Sequence, residues 1–241
     1  SMTPNTPAGA SGPLPLVLGD IASSKPAYVR DPRNDFADAD YVTFKDKYGN
    51  PSSADYRSGA VFTAANDGML HAFRASDGVE QFAVIPNAVF PNLHLLTSPD
   101  YSHRYFVDGS PGAGDAYLKN DLSDSSGWNS VVVSGLRGGG KAVFAVDATN
   151  PTSDLPARFM WEFNATESDN DMGYSYSQPQ VVRLNDGNWA AVFGNGYNST
   201  NGRAVLLLVD IETGAITRIS TQSGSTSSVN GLSGVVAVSS A

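Results

Sequence analysis

The sequence contains no cysteine, and this absence excludes several kinds of site. A chain without thiols has no disulfides, no thiolate nucleophile and no cysteine-based zinc site. It also has no run of 18 apolar residues, which is about the shortest stretch that crosses a bilayer as a helix. The first residues lack the basic and apolar regions of a signal peptide.

Basic residues and helical patterns are also scarce. Fifteen lysines and arginines stand against 24 acidic residues, giving a net charge of −9. Nucleic-acid binding relies on a basic surface, so we expect no nucleic-acid partner. No apolar stretch with helical spacing exceeds about three turns. The 24 glycines and 14 prolines favour many turns, and together these features predict an all-β fold.

Short strands joined by tight turns are most evident between residues 61 and 84. Val61–Ala65 and Met69–Phe73 are apolar runs separated by Asn66-Asp67-Gly68, and Val79–Val84 follows the turn Ser76-Asp77-Gly78. Asparagine, aspartate and glycine tolerate the positive φ angles of hairpin turns. These runs are apolar on both faces, which predicts a sheet that is covered on both sides.

A repeat accounts for this double coverage. Strands follow Ser24-Lys25-Pro26, Gly109-Ser110-Pro111 and Ser177-Gln178-Pro179, and Ser233-Gly234 resembles a fourth copy without the proline. Each of the first three copies begins a unit of four antiparallel strands. Tandem four-stranded units are typical of a β-propeller, in which neighbouring blades cover both faces of each sheet. A β-sandwich would instead have one polar face.

The repeat predicts the domain organisation. Residues 1–13 are expected to be a disordered tail whose leading Ser-Met is an expression scar, and residues 14–241 a partial propeller with quinoprotein-like blades. The predicted boundaries are about 16–85 for blade 1, 105–163 for blade 2, 174–220 for blade 3 and 231–241 for the first strand of blade 4. Residues 30–59 within blade 1 are polar and are expected to form a surface excursion. Three blades and one strand do not close a ring, so either the parent protein continues beyond Ala241, which we favour, or neighbouring copies cover the open end.

Several segments resemble the C-terminal domain of the PilC/PilY family of type IV pilus-associated proteins. They occur in family order and are Gly19-Asp20-Ile21, 65–73, Pro91-Asn92-Leu93, 101–105, Val107-Asp108-Gly109, 144–147, Gly173-Tyr174, Ser177-Gln178-Pro179 and 193–198. We take as fold and family markers Asn66, Asp67, Gly68, His71, Asp147, Gly173, Gln178, Pro179, Asn195 and Gly196.

The resemblance implies a modified β-propeller of a Gram-negative bacterium, serving pilus biogenesis, the balance of pilus extension against retraction, twitching motility and surface adhesion. It implies an exported protein at the cell surface or pilus tip, the outer membrane or the periplasm. Pilus components or a host or surface receptor would be its partners. In that family, a calcium site lies in an Asp-rich loop after a strand of the Leu232–Val238 type. This chain ends before such a loop, so calcium is expected only in the complete domain.

No catalytic or cofactor-binding residue is predicted. His71, His94 and His103 fall on separate elements and are expected to pack or to form hydrogen bonds. Asp169, Asn170 and Asp171 are weak calcium candidates, because calcium takes oxygen ligands, although the loop lacks EF-hand spacing. Gly138-Gly139-Gly140-Lys141 lacks the phosphate-loop pattern and predicts a hairpin turn.

These observations favour a non-enzymatic propeller module, and two alternatives stay open. The Asn66-Asp67-Gly68-x-Leu70 and Asp77-Gly78 pattern, with Trp161 and Thr213-Gly214, also resembles quinoprotein dehydrogenase blades. The absence of cysteine and the incomplete ring count against that enzyme class. The second alternative is a scaffold propeller of an outer-membrane assembly complex, which has similar blades.

Overall fold

Three antiparallel sheets form the architecture. The computed structural model describes residues 18–119, 127–150, 159–165 and 170–238. The predicted tail at residues 1–13 therefore lies outside the described residues. Each sheet contains four strands in chain order, which confirms the prediction of three four-stranded blades. The strands are β1 Ala27–Val29, β2 Ala60–Ala65, β3 Met69–Arg74 and β4 Glu80–Val84 in blade 1; β5 Gly112–Tyr117, β6 Trp128–Gly135, β7 Ala142–Asp147 and β8 Phe159–Asn164 in blade 2; and β9 Gln180–Arg183, β10 Trp189–Gly194, β11 Arg203–Asp210 and β12 Ile216–Gly224 in blade 3.

The first strands of blades 2 and 3 lie side by side at the inner edge of the assembly. A Cβ atom at Gly112 in β5 would overlap the carbonyl oxygen of Pro179, the residue before β9. A Cβ atom at Gly114 would lie 2.8 Å from the Val181 side chain. Glycine in β5 therefore allows the two backbones to approach as closely as the inner strands of a propeller require.

Both faces of blade 2 are buried, as the apolar runs predict. In β7, Val143 and Ala145 belong to an apolar cluster with blade 3, whereas Phe144 and Val146 belong to a cluster with blade 1. Successive side chains of a strand point to opposite faces, so a continuous apolar run fills two interfaces at once. The core is thus two apolar layers, one on each side of the middle blade.

Residues 30–59 are not a surface excursion, and that prediction is wrong. They contain helix α1, Ala39–Gly49, whose Tyr41, Phe44 and Tyr48 are buried in the cluster between blades 2 and 3. These three aromatic residues lie at positions i, i+3 and i+7, which form one face of a helix. Acidic and basic residues between them mask the pattern in the sequence. The insertion is therefore a structural element of the core.

A buried polar network fixes the insertion to blade 2. Arg57 is 1% exposed and donates hydrogen bonds to Ser130 Oγ at 2.9 Å and to the carbonyl oxygen of Thr149 at 2.8 Å. Ser130 donates to Asp115, whose other carboxylate oxygen accepts a 2.6 Å hydrogen bond from Tyr41. Burial, reinforced by Asp115, raises the pKa of Tyr41, so its hydroxyl keeps the donated proton.

The segments after β4 and β12 complete the described chain. After β4 the chain forms a short helix, α2, Phe90–Leu93, flanked by 3₁₀ turns at Asn87–Val89 and His94–Thr97. Near the C-terminal end, Leu232 forms a single bridge with Gly196, and residues 233–238 are not part of a strand. The predicted first strand of blade 4 is therefore represented, within the described residues, by one backbone bridge.

Phe44→Ala in α1 tests whether the insertion is part of the core. Phe44 is fully buried, so the change leaves a cavity and is expected to lower the free energy of unfolding by about 3–5 kcal/mol. Val42→Ala on the same helix is the control, because Val42 is 63% exposed and its loss should cost less than about 0.5 kcal/mol. Urea unfolding measures both, and equal midpoints for the two variants would contradict a core role for α1.

Candidate functional site

One face of the propeller gathers most of the residues that the sequence singles out. We call it the connecting face and define it by residues 18–26, 66–68, 85–111, 136–141, 165–178, 195–202 and 225–238, within the described residues. It holds the turns between the second and third strands and the segments that lead from one blade to the next. Loops on a rigid scaffold are where propellers and other folds place binding function.

Two buried asparagines on this face join successive blades. Asn66 follows β2, and its side-chain oxygen accepts the backbone NH of Phe106, which leads into blade 2, at 3.0 Å. Asn195 follows β10, and its side-chain oxygen accepts the NH of Leu232 at 3.2 Å and that of Val205 at 3.0 Å. The two residues therefore perform the same structural role in blades 1 and 3. Besides marking turns, they bind the incoming segment of the next unit.

Blade 2 has Leu136 at this position and makes the connection differently. Ser175, which leads into blade 3, accepts the NH groups of Leu136 at 2.8 Å and Arg137 at 3.0 Å through its hydroxyl oxygen. A serine side chain on the incoming segment thus replaces an asparagine side chain on the turn. Blade 2 is therefore also connected to the next blade, although Leu136 differs from the asparagines at the equivalent positions in blades 1 and 3.

The glycine markers allow these segments to touch. Gly196 has φ +69°, and a Cβ atom there would overlap the carbonyl oxygen of Tyr174. A Cβ atom at Gly173 would overlap the carbonyl oxygen of Tyr197, and Tyr174 donates its NH to that same oxygen at 2.8 Å. These glycines are needed for close backbone approach.

The residues before the repeated prolines form a second set of contacts, within and between blades, close to the inner strands. Ser24 and Ser177 each accept a backbone NH from the second strand of their own blade, those of Ala64 and Gly194. Gln178 then donates to the carbonyl oxygen of Pro111 in the preceding blade at 2.9 Å. Pro179 is buried directly before β9. In blades 1 and 3 the serine therefore holds the inner strand to its own blade, and in blade 3 Gln178 also holds it to the preceding blade.

His71, in β3 of blade 1, lies between the carboxylates of Asp67 and Glu80. Its Nε2 is 3.0 Å from an Asp67 oxygen and its Nδ1 is 2.5 Å from a Glu80 oxygen, and its side chain is only 5% exposed. Asp67 also accepts the NH groups of Gly19 and Met69, at 2.9 and 3.1 Å. The Asn-Asp-Gly turn thus holds the lead-in segment of the chain as well as the histidine.

The two carboxylates determine the charge of His71. Burial favours the neutral ring, but hydrogen bonds to Asp67 and Glu80 outweigh burial and raise the pKa of His71. For Asp67, burial is likewise opposed by bonds from His71 and Gly19, and the net effect lowers the pKa of Asp67. Both ring nitrogens contact carboxylates, so His71 has no free nitrogen for a ligand.

The calcium candidates are only partly within the described residues, since Asp169 lies outside them. Asp171 accepts a hydrogen bond from Asn201 at 2.8 Å, and its other oxygen lies 3.7 Å from Nε of Arg218. The Asn170 carbonyl accepts the NH of Asn201 at 3.0 Å. A guanidinium beside the carboxylate does not fit a calcium site, and the described residues include no group of three or more acidic or histidine side chains placed to hold a metal.

The remaining marker, Asp147, is buried at the end of β7 and accepts the NH of Thr149 at 2.9 Å. His94 is exposed, and His103 contacts Asp20 at 3.0 Å.

Three residues that join distant segments were not indicated by the sequence patterns. Arg57 and Asp115 connect the insertion to blade 2, and Ser175 connects blade 2 to blade 3. Their signal in the sequence was weak, because none of the three lies at a position that recurs from one unit of the repeat to the next.

Comparison with known proteins identifies the family to which this architecture belongs. The family model described as the PilY1 beta-propeller domain matches residues 18–240. The chain belongs to the PilY1 β-propeller family. The resemblance seen in the sequence is thereby confirmed.

Curated relatives in the PilY1 family are type IV pilus biogenesis factors by name. A PilY1 homolog of Xylella fastidiosa strain Temecula1 is 46% identical over 178 residues, covering 74% of this chain and 11% of the relative. PilY1 of Pseudomonas aeruginosa strain PAO1 is 42% identical over 228 residues, covering 90% of this chain and 18% of the relative. The chain thus spans less than a fifth of the length of the curated relatives it matches.

A solved structure of the PilY1 family agrees with the fold. The crystal structure of the Pseudomonas aeruginosa PilY1 C-terminal domain matches with a TM-score of 0.67 and 38% sequence identity. The match covers 86% of this chain and 39% of that domain. The three blades are therefore similar to part of a PilY1 C-terminal domain.

Asn195→Ala tests the connection between blades in this PilY1-family chain. The change leaves the NH groups of Val205 and Leu232 without their acceptor, and unsatisfied buried groups cost about 1–3 kcal/mol each. We expect a lower urea midpoint, corresponding to about 3 kcal/mol in unfolding free energy. The matched control is Asn185→Ala, at an exposed turn. Unchanged stability of Asn195→Ala would contradict the connecting role.

The raised pKa of His71 predicts a pH-dependent stability. Because the pKa of His71 is higher in the folded chain than in the unfolded chain, protonation of His71 stabilises the fold. This contribution to stability is fully present below the ordinary histidine pKa of about 6.5 and is lost as the pH rises through the folded-state pKa. We expect the urea midpoint to fall from about pH 6 to about pH 9 more steeply in the parent chain than in His71→Gln. His94→Gln is the control, since His94 is exposed. Parallel curves for parent and His71→Gln would contradict this assignment.

Proposed function

We propose that this chain is a non-enzymatic propeller module of a type IV pilus biogenesis factor at the cell surface. The observation that carries the proposal is family membership across residues 18–240, with a structural match to a PilY1 C-terminal domain. The module supports the balance of pilus extension against retraction and takes part in adhesion. Its parent protein is exported to the pilus tip, outer membrane or periplasm of a Gram-negative bacterium.

The connecting face supports a role in protein–protein contact. Its segments are fixed by Asn66, Asn195 and Ser175, so its loops are presented in defined positions. Pilus components or a host or surface receptor are the proposed partners on this face. None of the helices in the described part of the chain is both long enough and apolar enough to cross a membrane.

The buried polar groups support a scaffold role over catalysis. His71 is held between two carboxylates, and Tyr41 donates to Asp115 inside the core. Such groups are satisfied by one another and stabilise the fold. Calcium belongs, in our proposal, to the complete domain of the parent protein.

Deletion of the residues corresponding to this module from the chromosomal gene tests the proposal. We expect the strain to lose surface pili and twitching motility, because the parent protein would lack a folded part of its C-terminal domain. Complementation with the full-length gene, and with a gene carrying Asn185→Ala, should restore both. The amount of parent protein must be measured alongside. Normal piliation and twitching in the deletion strain would contradict the pilus role.

The two alternatives make different predictions. A quinoprotein dehydrogenase would bind a quinone cofactor and turn over an alcohol or sugar substrate, so quinone titration with metal analysis of the full-length protein distinguishes it. A scaffold of outer-membrane assembly would change the profile of outer-membrane proteins when deleted. We expect neither turnover nor a changed profile, and turnover with bound quinone would overturn the non-enzymatic assignment.

A further inference from the structure

A cleft of about 450 Å³ opens on the connecting face between blades 1, 2 and 3. It lies between the segment around α2, the stretch leading into β5, and the turn from β6 to β7. The residues lining it are Val89, Asn92, Arg104, Tyr105, Phe106, Gly138, Gly139, Gly140, Lys141 and Tyr174. Two of these residues also make fold contacts through their backbones, since Phe106 donates its NH to Asn66 and Tyr174 donates its NH to Tyr197.

The charge of the cleft is opposite to that of the chain. Arg104 and Lys141 line it, and none of the described lining residues is acidic, although the chain carries a net charge of −9. Arg104 is exposed, and its guanidinium pairs with no carboxylate among the described residues. Positive charge concentrated in a concave site on an acidic protein raises the local concentration of anions.

Aromatic rings are held beside these cations. Tyr105 is 47% exposed, and its ring packs so closely against Gly138 that a Cβ atom there would lie 3.0 Å from it. The ammonium group of Lys141 lies 5.6 Å from the ring centre of Tyr174 and donates to the carbonyl oxygen of Asn198. The cation–π contact and the hydrogen bond fix the Lys141 head near the wall of the cleft.

The shape of the cleft favours a compact ligand. All its lining residues come from turns and connecting segments, so no strand edge is available to pair with an extended peptide. Its volume falls in the range of small-molecule sites, about 300–1,000 Å³. Aromatic walls with a few polar groups, here the cations and the Asn92 amide, are typical of such sites.

We propose that this cleft binds an anionic sugar unit. Arg104 pairs with the carboxylate, since the planar guanidinium matches a carboxylate in two parallel hydrogen bonds, and Lys141 adds a second positive charge. Tyr105 supplies a flat surface for the ring. The same chemistry is found in a free uronic acid and in a uronate within a polysaccharide. This inference is independent of the pilus role.

The test titrates this chain with sodium glucuronate, glucose and inorganic phosphate, observed by NMR at the Tyr105 and Asn92 signals. We expect saturable shifts with glucuronate and none with glucose, because the neutral sugar lacks the carboxylate. Phosphate is expected to bind at least about tenfold more weakly than glucuronate, because it has charge and no ring. Equal binding of glucose, or of phosphate, would overturn the assignment to an anionic sugar.

Variants locate the binding. Arg104→Ala and Lys141→Ala are each expected to weaken glucuronate binding at least about tenfold, the usual effect of losing a hydrogen bond to a charged group. Tyr105→Leu should weaken it with the charges retained. Lys25→Ala is the matched control, because it removes one exposed positive charge from the same face outside the cleft. Unchanged affinity in Arg104→Ala and Lys141→Ala, or no binding by the folded parent chain, would overturn the proposal.

A second titration distinguishes the two sources of the ligand. If the natural ligand is a free uronic acid, a trigalacturonate should bind no more tightly than the monomer, because the cleft holds one unit. If it is a polysaccharide, the trimer should bind more tightly, because neighbouring units contact Tyr101 or Tyr197 on the same face, both more than a third exposed. In either case Arg104→Ala must reduce the preference for charged over neutral sugars, and an unchanged preference would overturn the proposal.

Discussion

The middle blade is buried on both faces, and the positions of the other two blades follow from that burial. Every residue of β6 and β7 is buried, and alternate side chains of β7 enter two different apolar layers. Burial of apolar surface is the main favourable term in folding, so blades 1 and 3 are held in place chiefly by what they cover. The sheets cannot be considered separately, because each one completes the core of its neighbour.

Polar contacts then define how the blades are oriented. Asn66 and Asn195 accept backbone NH groups from the next segment, and Ser175 performs the same function on the opposite side of the joint. A buried NH without an acceptor is costly, so these contacts select one arrangement out of the many that apolar packing alone would permit. These contacts also fix the positions of the loops on the connecting face. For this reason we propose the connecting face as a binding surface.

The burial of the insertion in blade 1 was not predictable from the apolar pattern of the sequence. Tyr41, Phe44 and Tyr48 lie on one face of α1, but charged residues between them give the segment a polar average. The segment is held by Arg57, Ser130 and Asp115, which lie far apart in the sequence and meet only in the folded chain. The family markers were found more readily, since Asn66 and Asn195 recur at equivalent points of a repeat. Their role as joints between blades was not predictable, because it depends on the segment that approaches them.

The all-β class, the number of complete blades and the family were predictable from the sequence alone. Strands that are apolar on both faces, and that come in units of four beginning after a small residue or serine and a proline, are compatible with few folds besides a propeller. The folded chain was needed to show that residues 30–59 enter the core, that His71 lies between Asp67 and Glu80, and that Arg104 and Lys141 share a cleft. The physical reason is the separation of these residues along the sequence. The alternation of apolar residues within a strand predicts which side chains that strand buries, but these contacts join residues that come together only when the blades pack.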